Sequence, residues 1–220
     1  MDIAADALLF DMDGTLVDST PAVHRCWTAW MGEYGLTEAD FARILTHGRP
    51  AVEIIRDVLP PAQLADGGLA AALRRIEELE VADTEGTVAL PGAAALLESL
   101  PTDRWAVVTS ATRALAEVRL AASGLPAPLL VTADDITRGK PDPEPFLLAA
   151  RQLGVDPARC LVVEDAPAGL AAARAAGMRS VAVTTTHDRA ELAADVVVEG
   201  LHRIWATDVP SGLRIRAMAV

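Results

Sequence analysis

Six short apolar runs recur along the chain, separated by longer amphipathic segments: Ala7 to Phe10, Trp105 to Thr109, Leu129 to Val131, Leu161 to Val163, Ser180 to Val183 and Val196 to Val198. Runs that are apolar throughout, rather than alternating, suit strands covered on both faces, as in a parallel sheet. Segments such as TRALAEVRLAASG and PEPFLLAARQLG carry apolar residues at helical spacing and close on Gly124 or Gly154, the residue type that helix C-termini favour. The pattern predicts an α/β fold, a doubly wound parallel-sheet core of Rossmann-like type. A chain of 220 residues accommodates that core with a smaller domain inserted.

One stretch departs from the alternation. Between the first and second runs, residues 18–88 read as several helices with no convincing strand. They predict an all-helical subdomain at 18–88, set into an α/β core formed by 1–17 and 89–220. Turn signals at its edges, DSTP (Asp18 to Pro21) and TEGTVALPG (Thr84 to Gly92), mark two connections suited to act as hinges. Trp27 and Trp30, at i and i+3 beside Tyr34, form a stripe read as subdomain core rather than a sugar-stacking platform. The C-terminal SGLRIRAMAV alternates apolar residues and is left open between a last strand and a tail.

Charge narrows the range of partners. With 19 basic and 31 acidic residues the formal charge is −12, which repels nucleic-acid backbones and anionic membrane surfaces. Cys26 and Cys160 fit no metal or redox spacing and no disulfide framework. Asp2 and Asp6 stand where a signal peptide would need a basic flank, and no apolar run is long enough to cross a bilayer. The expectation is a cytoplasmic protein with a small-molecule substrate, no nucleic acid and no membrane; oligomeric state is left open.

In an open parallel sheet, ligands gather beyond the carboxyl ends of the strands. The residues at those places read as a set: Asp11 and Asp13 after the first run, Thr109 and Ser110 after the second, Glu164 and Asp165 after the fourth, with Lys140 in RGKPDPEPF outside a strand. Carboxylates brought together without cations repel one another, and a hard metal ion with oxygen ligands usually completes such a cluster. Magnesium, Mg²⁺, is the expected ion, because it favours a few carboxylates together with phosphate oxygens and water. Phosphoryl transfer then gives each residue type a task. Asp11 is ionised at neutral pH and can attack phosphorus in line. Asp13 can protonate the leaving alcohol and later take a proton from water. Thr109 offers a hydroxyl and a nearby N–H to the phosphoryl oxygens, and Lys140 offsets negative charge. Gly14 permits a sharp turn between the two loops.

The stretches DMDGT, VVTS, GKPDP and VVEDAPAG resemble, in order and position, the four motifs of the haloacid dehalogenase-like hydrolases, over Ala7 to about Thr186. The helical insert sits where that superfamily's first-type cap lies. The resemblance implies Asp11 as nucleophile, Asp13 as acid and base, Thr109 as phosphate-binding residue and Lys140 as the neutralising lysine. It implies magnesium held by Asp11, the Asp13 main-chain carbonyl and Asp165, with Glu164 beside it in support.

Several reactions share this core. Dehalogenases lack an acid at the position of Asp13, and phosphonate hydrolases use a cap lysine where residues 18–88 contain none. Mutases of the β-phosphoglucomutase type are an alternative, but they carry valine or a similar residue where this chain has Thr15. Their cap histidine would fall on Val23, leaving His24 about 100° round the helix. A noncatalytic phosphate-sensing module is a further alternative. The closer resemblance is to phosphatases of small sugars and polyols, including hexose-phosphate, 2-deoxyglucose-6-phosphate and glycerol-3-phosphate phosphatases. It extends to THGRPA, TEGTVALPGA, RWAVVTSATR and AGLAAARAAG. By that resemblance Thr109, Ser110, His47, Gly48 and Arg49 bind substrate, although Pro50 replaces a polar residue found in some relatives. Arg113 is considered for substrate contact, and His187 and His202 are read as surface histidines without partners.

Overall fold

A computed structural model describes residues 1–37, 40, 51–210 and 212–219, and it divides into two compact units, Met1–Asp18 with Val88–Val220, and Ser19–Thr87. The first unit carries strands β1 (Asp2–Ala5), β2 (Ala7–Phe10), β3 (Val17–Asp18), β4 (Val88–Ala89), β5 (Trp105–Val108), β6 (Leu130–Val131), β7 (Cys160–Glu164), β8 (Arg179–Val183), β9 (Val196–Val198), β10 (Ile204–Val209) and β11 (Gly212–Ala217). Six of them form a parallel sheet in the order β6-β5-β2-β7-β8-β9. These are the six apolar runs of the sequence, so the doubly wound fold is the observed one.

The sheet's order explains its composition. The chain leaves β2 for β5 and β6 on one side, then returns to build β7, β8 and β9 on the other, so β2 stands where the winding reverses. All four residues of β2 are buried, as are those of β5 and β7, because helices cover both faces. Alternate residues point to opposite faces. Leu8 and Phe10 join Trp105, Val107, Leu161 and Val163 in one core; Ala7 and Leu9 join Ala106, Val108, Cys160 and Val162 in another. Phe10 meets the Trp105 ring edge to face at a centroid distance of 6.1 Å.

Helices α5 (Ala93–Glu98) and α6 (Arg113–Ser123) contribute Leu96, Leu97, Ala116 and Leu120 to the first core. Helices α7 (Glu144–Leu153) and α8 (Pro167–Ala175) contribute Phe146, Ala149, Ala172 and Ala173 to the second. Two of the helices close on Gly124 and Gly154 as the sequence indicates, both left-handed. The C-terminal segment is a strand. β11 lies between β1 and β10 in a three-stranded antiparallel sheet, and its Leu213, Ile215 and Ala217 face the first core. The two connections also pair, β3 against β4, as a short antiparallel ladder.

The second unit is helical among its described residues: α1 (Thr20–Glu33), α2 (Ala51–Val58), α3 (Pro61–Leu64) and α4 (Gly68–Ala82). Its core gathers Cys26, Trp27, Trp30, Ile54, Ile55, Ala72 and Ile76. Trp30 is fully buried, donates its indole N–H to the Ala72 carbonyl at 3.0 Å and stacks on Tyr34 at 4.4 Å. The aromatic stripe is therefore core.

If β11 is integral to the first core, Ile215→Ala should lower the free energy of unfolding by about 2–5 kcal/mol in urea titration. Arg216→Ala on the exposed face of the same strand should leave it nearly unchanged.

Candidate active site

Register brings the acidic residues together. The pairs Phe10↔Val107 and Phe10↔Val163 leave Asp11, Thr109 and Glu164 at neighbouring carboxyl ends of three adjacent strands, and the Asp11 N–H donates to the Val163 carbonyl at 3.0 Å. The chain then turns tightly, with the N–H groups of Thr15, Leu16 and Val17 all directed at the Met12 carbonyl. Met12, Leu16 and Val17 are buried and anchor this loop to the first core. Gly14 adopts φ +85°, and a Cβ there would run into the Asp165 carboxylate, so both backbone hand and space require glycine.

Asp11, Glu164 and Asp165 are buried, with one carboxylate oxygen from each within 4.8 Å of the others. Lys140 supplies a cation to this group: its Nζ stands 2.5 Å from Asp11 Oδ1, 2.8 Å from Glu164 Oε1 and 3.0 Å from the Val108 carbonyl. Its position is fixed from beneath by the Phe146 ring, 5.1 Å from Nζ. Glu164 Oε2 accepts the N–H groups of Asp165 at 2.8 Å and Ala166 at 2.7 Å. Both Glu164 oxygens are thus engaged. Gly169, one turn into α8, makes room for this carboxylate, because a Cβ at that position would overlap it.

Burial dominates the protonation of the cluster. It pushes the Asp11 carboxyl well above the usual carboxylate range; Lys140 opposes the shift, while Glu164 and Asp165 add to it. Burial alone would lower Lys140, but Asp11 and Glu164 outweigh it and hold the ammonium charged. Asp165 is raised to about 7 by burial and then by the Glu164 charge, against hydrogen bonds from Thr186 and Thr15. Buried, mutually repelling carboxylates with one lysine among them form a donor set that fits a hard divalent cation.

The remaining expected residues divide by place. Thr109 is buried just past β5, where its Oγ1 accepts the Ala111 N–H at 3.1 Å, and Ser110 beside it is exposed. Asp13 lies on the same loop as Asp11, with Oδ2 2.9 Å from Arg119 Nη1. His47, Gly48 and Arg49 lie outside the described residues. Arg113 turns to Asp135 at 2.7 Å and the Leu130 carbonyl at 3.3 Å, which accounts for it structurally.

The contacts of four residues escaped the sequence reading. Thr186, in the loop after β8, donates to Asp165 Oδ2, and Thr15 donates to Asp165 Oδ1 at 3.0 Å, so two hydroxyls fix this carboxylate. His187, expected at the surface without a partner, is half-buried with Nδ1 2.9 Å from Thr186 Oγ1 and 3.1 Å from the Asp165 carbonyl. His202 is exposed, as expected. Arg119 is buried on α6, and its signal was present: it shares a helix face with Leu115, Ala116 and Leu120, where a charged residue requires a partner.

The chain belongs to the haloacid dehalogenase-like hydrolases, whose family profile matches residues 5–177. Hexitol phosphatase A of Escherichia coli (strain K12) is 43% identical over 208 residues, covering 93% of this chain and 95% of that protein. Validoxylamine A 7'-phosphate phosphatase of Streptomyces hygroscopicus subsp. limoneus is 39% identical over 217 residues, covering 92% and 98%. Among solved structures, a hydrolase from Pseudomonas syringae superposes with a TM-score of 0.78 at 28% identity, over 90% of this chain and 94% of that one. Members of this family generally use a divalent metal, and the buried acidic triad is a donor set that fits one.

Two outcomes test the electrostatics. A cation needs Asp165 ionised, so below pH 7 its binding must displace a proton. The raised carboxyl also makes the metal-free fold lose stability as pH rises from the unfolded carboxylate value through 7, the range where a cation restores it. Added MgCl₂ should therefore raise the melting temperature more at about pH 8 than at about pH 6; an equal shift would contradict the assignment. Separately, Gly169→Ala should destabilise the protein by about 3 kcal/mol, read by denaturant titration, since the added methyl meets the Glu164 carboxylate.

Proposed function

We propose that this protein is a magnesium-dependent phosphatase of small sugar or polyol phosphate monoesters, acting through an aspartyl phosphate on Asp11. The observation that carries the reading is the environment of Asp11: a buried carboxylate at the winding reversal, with one oxygen tied to Lys140 and a second acid two residues on. The hexitol phosphatase similarity supports the polyol substrate, and Ser19–Thr87 is proposed as the family's helical cap. The reading includes a cytoplasmic location; among the described residues no helix is long and apolar enough to cross a membrane.

In the first step an Asp11 oxygen attacks phosphorus, the bond from phosphorus to the ester oxygen breaks, and Asp13 gives its proton to the departing alkoxide. Lys140 opposes the rise that burial imposes on the Asp11 carboxyl and faces the charge that gathers on the phosphoryl oxygens. Thr109 and the exposed Ser110 next to it hold those oxygens through hydroxyl and main-chain donors. Water then attacks phosphorus, Asp13 recovers a proton from it, and Asp11 is released as carboxylate with inorganic phosphate. Asp11, Asp165 and the Asp13 main-chain carbonyl would hold the magnesium ion, with Glu164 supporting them from behind. Bound there, the ion supplies neutralisation of phosphoryl charge.

The reading is tested by phosphate release from hexitol phosphates, glycerol phosphates, 2-deoxyglucose 6-phosphate, hexose 1- and 6-phosphates, phosphoglycolate and a nucleotide. Sugar and polyol esters should lead, chelation with EDTA should abolish release, and Asp11→Asn should lower kcat by at least about 10³-fold. Conversion of β-glucose 1-phosphate to the 6-phosphate without phosphate release would replace the phosphatase by the mutase. Tight binding without turnover, unchanged in Asp11→Asn, would replace it by a phosphate-sensing module.

A further inference from the structure

Arg119 has no place in the four motifs, yet it reaches a functional carboxylate that Lys140 does not touch. It projects from the buried face of α6, its side chain only 7% exposed, and its Nη1 stands 2.9 Å from Oδ2 of Asp13, whose own side chain is 30% exposed. The residues are 106 apart in sequence and belong to the same compact unit. A guanidinium cannot shed its proton, so an arginine buried among Leu115, Ala116 and Leu120 is stable only against an anion. The anion it meets is on the catalytic loop. The same helix packs against β3 and β4, which close that loop and carry the chain to and from the helical unit.

We propose that Arg119 is a positioning residue for the acid and base of the reaction, holding Oδ2 of Asp13 at a fixed orientation beside Asp11 and leaving Oδ1 to give and take the transferred proton. The inference rests on the reading of Asp13 given above. An aspartate on a partly exposed loop samples several rotamers, and proton transfer requires its oxygen within hydrogen-bond reach of the ester oxygen. A planar donor at 2.9 Å, itself buried on α6, removes that freedom. Lys140 organises the nucleophile and Arg119 the acid, each from a different element.

The leaving group separates this role from a structural one. A p-nitrophenolate departs with little help from an acid, whereas the alkoxide of a polyol phosphate needs its proton. In the parent, Asp13→Asn should therefore depress kcat/KM for glycerol phosphate far more than for p-nitrophenyl phosphate. If it does not, the reading of Asp13 fails, and with it the ground of the inference. If it does, Arg119→Met should reproduce the same selectivity, losing about 10-fold or more on the alkyl ester relative to the aryl ester. Arg119→Lys, which keeps the charge, should recover most of the loss, and Asp13→Asn combined with Arg119→Met should be little worse than Asp13→Asn alone. Equal losses on both esters, additive losses in the double variant, or a gain in rate when Arg119 is removed would overturn the proposal. Should Arg119→Met fail to fold by circular dichroism, Arg119→Gln takes its place: a selective deficit on the alkyl ester sustains the proposal, and a uniform deficit or none overturns it.

Discussion

The ammonium of Lys140 lies within hydrogen-bonding distance of Asp11, Glu164 and the Val108 carbonyl, groups that come from the ends of three adjacent strands. Asp11 and Glu164 both depend on this contact. Three buried carboxylates within 4.8 Å repel one another, and burial penalises each of their charges further. A single buried cation makes the cluster tolerable, and its loss would leave charges without compensation, the costly case for buried pairs. The lysine is held in turn by Phe146 below it, so packing in the second core sets the geometry of the chemistry above.

Around that contact the fold uses backbone to do what charged side chains would do less rigidly. The N–H groups at the start of α8 hold Glu164, and Gly169 lets the helix approach closely enough for them to reach it. Gly14 does the same for Asp165 from the opposite loop. Hydroxyls of Thr15 and Thr186 take both Asp165 oxygens, fixing a carboxylate that would otherwise be the least constrained of the three. Such support is what keeps a metal or phosphoryl site rigid enough to act without reorganising.

Burial separates the surroundings of the two acids. Asp11 sits in the sheet end beside Lys140, while Asp13 lies further along the loop, partly exposed and paired with Arg119. Two carboxylates only two residues apart thus face different partners, the arrangement that lets neighbouring acids take different roles. Met12 between them is buried in the first core.

By itself the sequence determined the parallel sheet and the strand-end residues, because fully apolar runs and the polar residues that end them are local patterns. Ala7 to Phe10 read as a strand covered on both faces, with Asp11 at its end and Thr109 and Glu164 at the ends of later runs. Trp30 was legible as core for the same reason, an apolar stripe at helical spacing. The contacts over long sequence distances were decided by tertiary structure alone. Whether SGLRIRAMAV is a strand depended on β1, which pairs with it from the other end of the chain. That His187 and Thr186 meet Asp165, and that Arg119 meets Asp13, depended on strand order and on how α6 lies against the sheet. A buried arginine announces that it needs an anion, but only the fold chooses which one, because pair energies fall with distance in space and not along the chain.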